Sequence, residues 1–482
     1  MNIIIVSTST VEQEEYWQMR LATTLPFLSH RPHLILAVHE DWLGGAGNGL
    51  GTLYAFFRAR EKGIILHHVD ILTSLKEGAA VAIYHTAGKG QRLAPLTFSE
   101  RNNKSAIKVP SLIKETEVPL NILESVIKQS LPYVENAQGR VSVFWGDQIF
   151  IPEQDFSQSD KHSIDVFTRP IPFPTKEEWK KLGLKNYGIV AHTRQGFPLM
   201  LNKLTYERFQ WMQEHSLLNP SNSLSLNLGS FSISGNLFFL LMEEFTQEIH
   251  SQEGQLDTDT HFWMPMTLDE DTYAILMEDK NISEDESRKQ HKRIQSIVNK
   301  LKSPQQVFGE LNIGHKSQWW DFGTLQQYFT NLMKLTKSDQ ESQALQNFFC
   351  IEPNSARKTS DIEIKGNSFL LNSSVNEGII ENSILIGVNA KHLNVRNSII
   401  VNCDLSQLSC TESIVYNVKE DLPLDFPSQT VRADLTYHNE VIALYTQWQR
   451  DSKEDWTITL PHNKYSFEEV YNMLQLDEKI IL

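Results

Sequence analysis

The sequence has little cysteine and no long apolar run. Its cysteines are Cys350, Cys403 and Cys410, and three are too few, and odd in number, for a disulfide framework. No stretch approaches the roughly 20 apolar residues that span a bilayer. The amino-terminal segment "MNIIIVSTST" has neither a basic region nor a long apolar core, so it predicts no signal peptide. We therefore expect a cytoplasmic protein that works in a reducing environment, away from membranes.

Positive charge is also in short supply. Lysine and arginine total 44 against 59 aspartates and glutamates, which gives a formal net charge of −15. Proteins that bind nucleic acids present a basic face, so we expect no nucleic-acid partner. The deficit says little about a small phosphorylated ligand, because a few local basic side chains suffice to bind one.

Length and composition indicate a soluble globular chain of two or three domains. It has 482 residues, of which 40% are hydrophobic and 21% charged. We divide it into an α/β domain (1–340), a repetitive segment (341–425) and a tail (426–482). We expect the tail to pack on one of the other two.

Short β-rich runs alternate with helical patterns in the first domain. The predicted strands are Ile3–Val6, His33–Val38, Val81–His85 and Val141–Trp145, and the predicted helices are Val11–Leu25, Thr52–Lys62 and Leu120–Ser130. This alternation predicts a Rossmann-like α/β fold with a mostly parallel sheet. Ligands of such sheets bind at the carboxyl ends of the strands.

Four serines spaced fifteen residues apart mark a repeat in the second domain. They are Ser368, Ser383, Ser398 and Ser413. Apolar residues alternate with others after each serine, and this period of two within a longer fixed period is typical of a β-solenoid. We expect Asn382 and Asn397, in the intervening bends, to be ladder or turn residues. The tail returns to helical periodicity, including Phe467–Leu474.

Two glycine-rich stretches follow predicted strands. The second glycine loop, "HTAGKGQRLAPLT" (85–97), combines Gly88 and Gly90 with the cations of Lys89 and Arg92. Glycines let backbone N–H groups converge on an anion, and a guanidinium offers two parallel hydrogen bonds to a phosphate. We therefore expect this loop to bind phosphate groups.

The first glycine loop, "GGAGNGLGT" (44–52), contains no charged residue. It suits a neutral base and ribose better than a triphosphate. Neither loop ends in the Gly-Lys-Ser/Thr of a P-loop, which argues against a kinase.

The second glycine loop resembles the signature of sugar-1-phosphate nucleotidylyltransferases, "GGxGxRLxPLT" followed by a lysine. That lysine is Lys104 here, with Lys108 as the alternative. "VFWGDQIF" and "WWDFGTLQQYF" are similar to the two segments that carry the metal-binding aspartates of this superfamily. The resemblance, which covers residues 80–330, therefore implies a Mg²⁺ site formed by Asp147 and Asp321.

Two further segments are similar to the sugar-binding part of the superfamily. "NYGIV" resembles its "YGxV" strand and implies a role for Gly188, and Lys203 stands where members hold a sugar-phosphate lysine. The glutamate that commonly precedes that lysine is Asn202 here.

Within the superfamily, the chain is most similar to the fucose-1-phosphate guanylyltransferase family. Members have a "GSGGxTL" loop, then an "HxGGxxxR" loop, and end in a β-helix with "NSII"-like rungs. This resemblance implies GTP and fucose-1-phosphate as substrates and a C-terminal left-handed β-helix. "NGLGT" (48–52) also resembles the "NGGLGT" loop of UDP-glucose pyrophosphorylases, so UTP with a hexose-1-phosphate is the alternative.

The implied reaction converts a nucleoside triphosphate and a sugar-1-phosphate into a nucleotide sugar and pyrophosphate, with Mg²⁺ as cofactor. The implied residues are Arg92, Lys104 and Asp147 for catalysis, Gly47, Gly49, Gly51, Thr52, Gly88, Lys89 and Gly90 for the nucleotide, and Gly188 and Lys203 for the sugar phosphate. A homo-oligomer formed through the β-helix is a further expectation. The alternative from another class is an inactive relative that senses nucleotides or nucleotide sugars.

Overall fold

The structure is a computed structural model that describes residues 2–113, 116–153, 161–219, 224–301, 307–354 and 361–480. The elements up to residue 334 are, in chain order, β1 (Asn2–Thr8), α1 (Val11–Leu28), β2 (His33–His39), α2 (Gly47–His67), α3 (Ile71–Lys76), β3 (Val81–His85), α4 (Leu96–Ser99), β4 (Lys108–Ile113), β5 (Val118–Asn121), α5 (Ile122–Val134), β6 (Arg140–Trp145), β7 (Gln148–Ile151), β8 (Ile164–Ile171), α6 (Lys176–Lys181), β9 (Gly188–His192), β10 (Pro198–Asn202), α7 (Tyr206–Glu214), β11 (Leu224–Ser234), α8 (Gly235–Glu244), α9 (Thr246–Ser251), α10 (Met264–Thr267), α11 (Glu270–Glu278), α12 (Glu284–Val298), β12 (Phe308–Asn312), β13 (Gln318–Asp321) and α13 (Leu325–Lys334).

The later elements follow in the same order. They are α14 (Gln340–Phe349), β14 (Ile362–Lys365), β15 (Phe369–Leu371), β16 (Ser374–Glu381), β17 (Ile384–Ile386), β18 (Asn389–Arg396), β19 (Ile399–Val401), β20 (Asp404–Thr411), β21 (Ile414–Tyr416), β22 (Lys419–Asp425), β23 (Thr430–Tyr437), β24 (Glu440–Gln447) and α15 (Phe467–Ile480).

A nine-stranded sheet forms the core of the first part. The strands β2, β1, β3 and β6 lie side by side and are parallel. β11 then pairs antiparallel with β6, β8 and β9, and β12 and β10 complete the sheet beside β8 and β9. Ile3–Val6 is buried on both faces of its strand, as in parallel sheets that helices cover. The α/β prediction is confirmed.

The first glycine loop differs from the prediction in one respect. We expected its helix to begin at Thr52, but α2 begins at Gly47, so six of the nine residues of the loop are helical. The close approach of another segment explains the glycines, since a Cβ at Gly47 or Gly49 would lie 2.7 Å from the carbonyl oxygen of Leu256.

The start of α5 also differs from the prediction. Leu120 belongs to β5, and the helix begins at Ile122. Asn121 and Glu124 form a capping box there, in which each side chain bonds the backbone N–H of the other residue. Such a box fixes the first turn of a helix.

Two parallel sheets form the C-terminal region. One contains β14, β16, β18, β20 and β22, and the other contains β15, β17, β19, β21 and β23. Neighbouring strands are shifted by the sequence repeat, so that Ile384 pairs with Ile399 and Ile399 with Ile414. This arrangement is consistent with a β-helix.

The repeat serines form a buried ladder between these strands. The backbone N–H groups of Ser383, Ser398 and Ser413 each donate to the hydroxyl of the preceding repeat serine, at 3.1–3.2 Å. Asn382 and Asn397 have φ angles of 45° and 46°, a left-handed conformation that asparagine adopts more readily than most residues. Their interpretation as turn residues is confirmed.

The strands after Ser383, Ser398 and Ser413 are buried on both faces. In β17, Ile384 and Ile386 pack into the core of the α/β part, whereas Leu385 packs between the two parallel sheets. The hydroxyl of Tyr416 on β21 donates to Glu100 at 2.6 Å. The sheet that contains β17 therefore docks on the α/β part of the same chain.

The tail, for which we expected helical and extended segments, begins with strands. β23 joins the sheet of β21 and forms an antiparallel hairpin with β24, so this sheet continues past residue 425. The helix predicted at Phe467–Leu474 lies within α15. Phe467 and Trp456 pack against Ala94 and Phe98, at the end of the second glycine loop. Among the residues described, none of the helices combines the length and apolar character that a membrane span requires.

Candidate functional site

Both glycine loops border one cleft of about 450 Å³. It lies where β2, β3 and β6 end, which is the edge at which α/β sheets bind ligands. Its lining residues are Glu40, Gly45, Gly47, Asn48, Gly51, His85, Ala87, Gly88, Arg92, Lys104, Trp145, Asp147, Gln148, Asp321 and Gly323. A larger cleft of about 540 Å³ lies at the opposite edge of the sheet, beside Asn2 and Gly78, and neither loop borders it.

Pairing between β7 and β13 brings the two predicted metal-binding aspartates together. Asp147 lies in the turn between β6 and β7, and Asp321 ends β13 opposite Gln148. The N–H of Phe322 donates to the carbonyl oxygen of Asp147 at 2.9 Å. Gly146 allows this turn to form, because a Cβ there would lie 3.0 Å from the carbonyl oxygen of His85.

Asp321 is the most perturbed carboxylate of the cleft. Burial and the neighbouring Asp147 carboxylate raise the pKa of Asp321 to about 6, although the N–H of Gly323, Arg92 and Lys104 oppose the rise. That N–H donates to Asp321 Oδ1 at 2.8 Å. A carboxylate whose pKa is raised by a second carboxylate beside it marks a site that attracts a cation.

Lys104 occupies the position between the second glycine loop and the aspartates. Its Nζ lies 2.6 Å from Asp147 Oδ2. Gly90 permits this approach, because a Cβ there would lie 3.1 Å from Lys104 Cβ. Lys108, the alternative, lies outside the cleft lining, and its ammonium pairs with Glu100 at 3.1 Å. The structure therefore brings Lys104, and not Lys108, to the aspartates.

The two cations of the second glycine loop point to different places. Arg92 borders the cleft, and its Nη2 lies 3.4 Å from the position of a Cβ at Gly323. Lys89 lies outside the cleft lining, with its Nζ 5.5 Å from the centre of the Tyr471 ring on α15. Gly88 lines the cleft, and its N–H donates to Ser9 Oγ at 2.9 Å.

The first glycine loop contributes only part of itself to the cleft. Gly47 and Gly51 border it. Gly49 lies behind it, and its N–H donates to the carbonyl oxygen of Leu256 at 2.8 Å. Thr52 is buried and links the two loops through its hydroxyl.

Thr52 and His85 join the two loops by a hydrogen bond. The Thr52 hydroxyl donates to the carbonyl oxygen of Asn48 at 2.7 Å and lies 2.9 Å from His85 Nε2. Because the hydroxyl proton is already used, His85 Nε2 must carry the proton of that second bond. Burial and the nearby Lys104 ammonium lower the pKa of His85 to about 4. The imidazole is therefore neutral at physiological pH.

Gly188 and Lys203 lie on the hairpin of β9 and β10, next to the cleft. Gly188 pairs with Asn202, and the N–H of Lys203 donates to the carbonyl oxygen of Tyr187 at 3.0 Å. Burial raises the pKa of Tyr187, with the Asp321 carboxylate adding to the rise and Arg92 opposing it. Tyr187 therefore connects the hairpin electrostatically to the cleft.

A polar cluster that the sequence did not predict lies beside this hairpin. Asn227 Nδ2 donates to Asp259 Oδ2 at 3.2 Å, and Lys280 Nζ donates to the carbonyl oxygen of Asn202 at 2.9 Å. Burial raises the pKa of Asp259 to about 7, against the attraction of Lys203. Asp259 belongs to a π-helical turn, a rare conformation that is frequent at functional sites.

The same π-helical turn is tied to the first glycine loop. The N–H of Asn48 donates to Asp257 Oδ1 at 3.1 Å, and Asn48 Oδ1 accepts from the N–H of Thr258 at 2.7 Å. The segment 257–260 thus runs from the first glycine loop to the neighbourhood of Lys203.

Some lining residues were missed by the sequence analysis although a signal existed. Glu40 and His85 stand at the carboxyl ends of strands that we predicted, which is where the fold places ligand-binding side chains. Asp259 and Asn227 had no such signal, since neither lies in a motif with a fixed spacing.

No protein-family model matches the chain, and no curated protein sequence is significantly similar to it.

Proposed function

We propose that this protein is a sugar-1-phosphate nucleotidylyltransferase, which converts a nucleoside triphosphate and a sugar-1-phosphate into a nucleotide sugar and pyrophosphate. One observation carries the proposal. Arg92, Lys104, Asp147 and Asp321 converge in a single cleft that two glycine loops border. Phosphoryl and nucleotidyl transfer need little covalent chemistry, but they need aligned reactants and neutralised phosphate charge.

Asp147 and Asp321 fit the demands of Mg²⁺. This ion prefers oxygen ligands and is usually held by one or two carboxylates together with substrate phosphates. The side-chain oxygen of Gln148, between them in the lining, is buried and has no hydrogen-bond donor among the described residues. No group of three or more potential metal-binding side chains was found in the described part of the chain, so substrate oxygens would complete the shell. Once bound, Mg²⁺ would neutralise charge on the phosphates.

The remaining residues would hold the reactants. Arg92 would bind the β- and γ-phosphates and stabilise the leaving pyrophosphate. Lys104 would reach the α-phosphate, and Lys203 would bind the phosphate of the sugar. No side chain has to remove a proton, because the attacking sugar-phosphate oxygen is already ionised. The protein would thus act by positioning this oxygen in line with the leaving pyrophosphate.

We further propose GTP and fucose-1-phosphate as the substrates, a cytoplasmic location and a left-handed β-helix for the two C-terminal parallel sheets. Support comes from the sequence resemblance of both glycine loops and the "NSII" rung at 397–400. A homo-oligomer through this region would use the sheet that contains β16, because the sheet that contains β17 packs on its own α/β part.

Two measurements test the function. Thermal unfolding with Mg²⁺ and each of GTP, UTP, ATP and CTP would identify the nucleotide, and pyrophosphate release with a panel of sugar-1-phosphates would identify the reaction. We expect release only when a nucleotide and a sugar phosphate are both present. Nucleotide binding without release for any sugar would favour the sensing protein, and preference for UTP would favour the uridylyltransferase.

A further inference from the structure

Glu40 is a lining residue of the cleft for which the proposed reaction has no role. It follows β2 and lies against the first glycine loop. Its Oε1 accepts the N–H of Ala46 at 3.0 Å. Its Oε2 lies 3.4 Å from the position that a Cβ at Gly51 would take. The carboxylate is thus held by one oxygen, and the other lies beside the glycines that border the cleft.

The described part of the chain offers no cation to balance this carboxylate. Among the described residues, no lysine, arginine or histidine lies within salt-bridge distance of Glu40. Burial raises the pKa of Glu40 against the effect of the Ala46 N–H, and the neighbouring Asp41 adds to the rise. A half-buried carboxylate without a balancing cation is costly, and a ligand that offers N–H or O–H donors would lower that cost.

The position also restricts what that ligand can be. A carboxylate next to the triphosphate would repel it, so Glu40 must face a part of the nucleotide that is neutral and carries donors. The first glycine loop, which has no charged residue, forms the same wall.

We propose that Glu40 selects guanine by accepting hydrogen bonds from its N1–H and N2–H groups. Guanine is the only common base that presents two adjacent donors on its Watson–Crick edge, whereas adenine and uracil present one each. The inference rests on the proposed function, because it assumes that the cleft binds a nucleoside triphosphate.

Asn48 supplies a complementary group on the same wall. Its side-chain oxygen accepts the N–H of Thr258 at 2.7 Å, which leaves its amide N–H₂ as the group that can serve a ligand. Asn48 borders the cleft with Glu40. The Asn48 amide could donate to O6 of guanine, while the Glu40 carboxylate accepts from N1–H and N2–H₂. The two side chains thus complement the three groups on the Watson–Crick edge of guanine.

Calorimetric binding of nucleotides with Mg²⁺ tests the inference without any sugar substrate. ITP carries hypoxanthine, which lacks the N2 amino group of guanine. We therefore expect the wild-type protein to bind GTP at least about tenfold more tightly than ITP, because ITP cannot form the hydrogen bond from N2 to the charged Glu40. In Glu40→Gln, the side-chain oxygen can still accept the Ala46 N–H, so the amide N–H₂ group faces the base where the second carboxylate oxygen was. GTP should then lose at least about tenfold in affinity, and XTP, which has an oxygen in place of the N2 amino group, should gain relative to GTP.

Asp41→Asn is the matched control. Asp41 is one residue away, accepts a hydrogen bond from the Tyr54 hydroxyl, pairs with Arg58 and lies outside the cleft lining. We expect its GTP-to-ITP ratio to equal that of the wild type.

Three outcomes would overturn the inference. Equal affinity of the wild-type protein for GTP and ITP would show that Glu40 does not bind the N2 amino group of the base. A Glu40→Gln effect that is equal for GTP, ATP and UTP and that disappears with 2′-deoxy nucleotides would place the carboxylate on the ribose. Binding of no nucleotide at all would refute the proposed function itself, and this separates the two failures.

Discussion

The two walls of the cleft differ in charge and in the way the chain builds them. On one wall, Arg92, Lys104, Asp147 and Asp321 carry alternating charges and come from segments that lie far apart in the sequence. On the other wall, the first glycine loop is a continuous neutral segment and carries a single carboxylate, that of Glu40, beside it.

This contrast shows how the cleft can treat the two ends of one ligand differently. Phosphates require positive charge, which basic side chains and a cation held by carboxylates can supply, so their wall contains charges of both signs. A base requires a close fit and a few neutral or single-charge hydrogen bonds, so its wall is built from glycines and backbone. Substitutions on the charged wall should therefore affect turnover, and substitutions on the neutral wall should affect nucleotide choice.

Replacing Asp147 should have the largest effect. In Asp147→Ala both the carboxylate beside Asp321 and the partner of Lys104 are lost. We expect Mg²⁺-dependent pyrophosphate release to fall by more than the roughly 10²-fold typical of one charge-stabilising donor. Thermal unfolding of the variant checks that the fold is retained. Near-normal pyrophosphate release would show that Asp147 is not part of the catalytic site.

Arg92 and Lys89 form a matched pair within one loop. Arg92 borders the cleft, whereas Lys89 lies on the Tyr471 ring. We expect Arg92→Ala to lower turnover by roughly 10²-fold and Lys89→Ala to change it by less than about threefold, because an exposed cation–π contact contributes little. Equal losses in the two variants, measured by steady-state kinetics, would show that Lys89 also reaches the phosphates.

His85, which joins the two glycine loops through Thr52, should make stability depend on pH. Its pKa in the folded protein is about 4, lowered from 6.5, so the unfolded chain binds a proton that the folded protein does not. Stability is therefore lost as the pH falls from about 6.5 to 4, on the order of 2–3 kcal/mol if the full shift is expressed. His85→Gln keeps a neutral donor for Thr52, and urea unfolding at several pH values should show a smaller acid loss. Parallel curves for the two proteins would contradict this.

Gly49 and Gly51 should give the smallest effects on turnover and differ from each other. A Cβ at Gly49 meets the Leu256 carbonyl oxygen at 2.7 Å, whereas one at Gly51 meets only Glu40 Oε2 at 3.4 Å and Ala46 Cβ at 3.9 Å. We expect Gly49→Ala to lower the melting temperature. Gly51→Ala should keep it and alter the GTP-to-ITP affinity ratio by shifting Glu40. If Gly51→Ala lowered turnover and left the nucleotide preference unchanged, the claim that the neutral wall controls nucleotide choice and the charged wall controls turnover would be wrong.

The sequence predicted the charged wall better than the neutral one. Asp147 follows a strand with a clear apolar pattern, and Arg92 stands in a loop with a specific spacing. The sequence therefore predicted that both side chains would lie at the ligand-binding edge of the sheet. The sequence could not predict that the Lys89 side chain lies on the Tyr471 ring of α15, because Tyr471 comes near Lys89 only when the tail folds back. The early start of α2 was also hidden, since its glycines depend on contact with Leu256, which no local pattern reveals.

The strands of the tail were expected only as an extended part without bounds, for a related reason. Ser428 continues the fifteen-residue spacing, but Val431 pairs with Ile414, seventeen residues earlier, so Thr430 and not the serine precedes the paired residues of β23. Long-range pairing of this kind overrides local propensity.

Transfer of label from α-³²P GTP tests the central claim most directly. With Mg²⁺ and fucose-1-phosphate, we expect the wild-type protein to move the label into a nucleotide sugar while unlabelled pyrophosphate is released, and Asp147→Ala to leave the label in GTP. If the label stays in the nucleotide for every combination of α-labelled triphosphate and sugar-1-phosphate, although calorimetry shows that the triphosphate binds, the cleft is a sensing site and the proposed transferase activity is wrong.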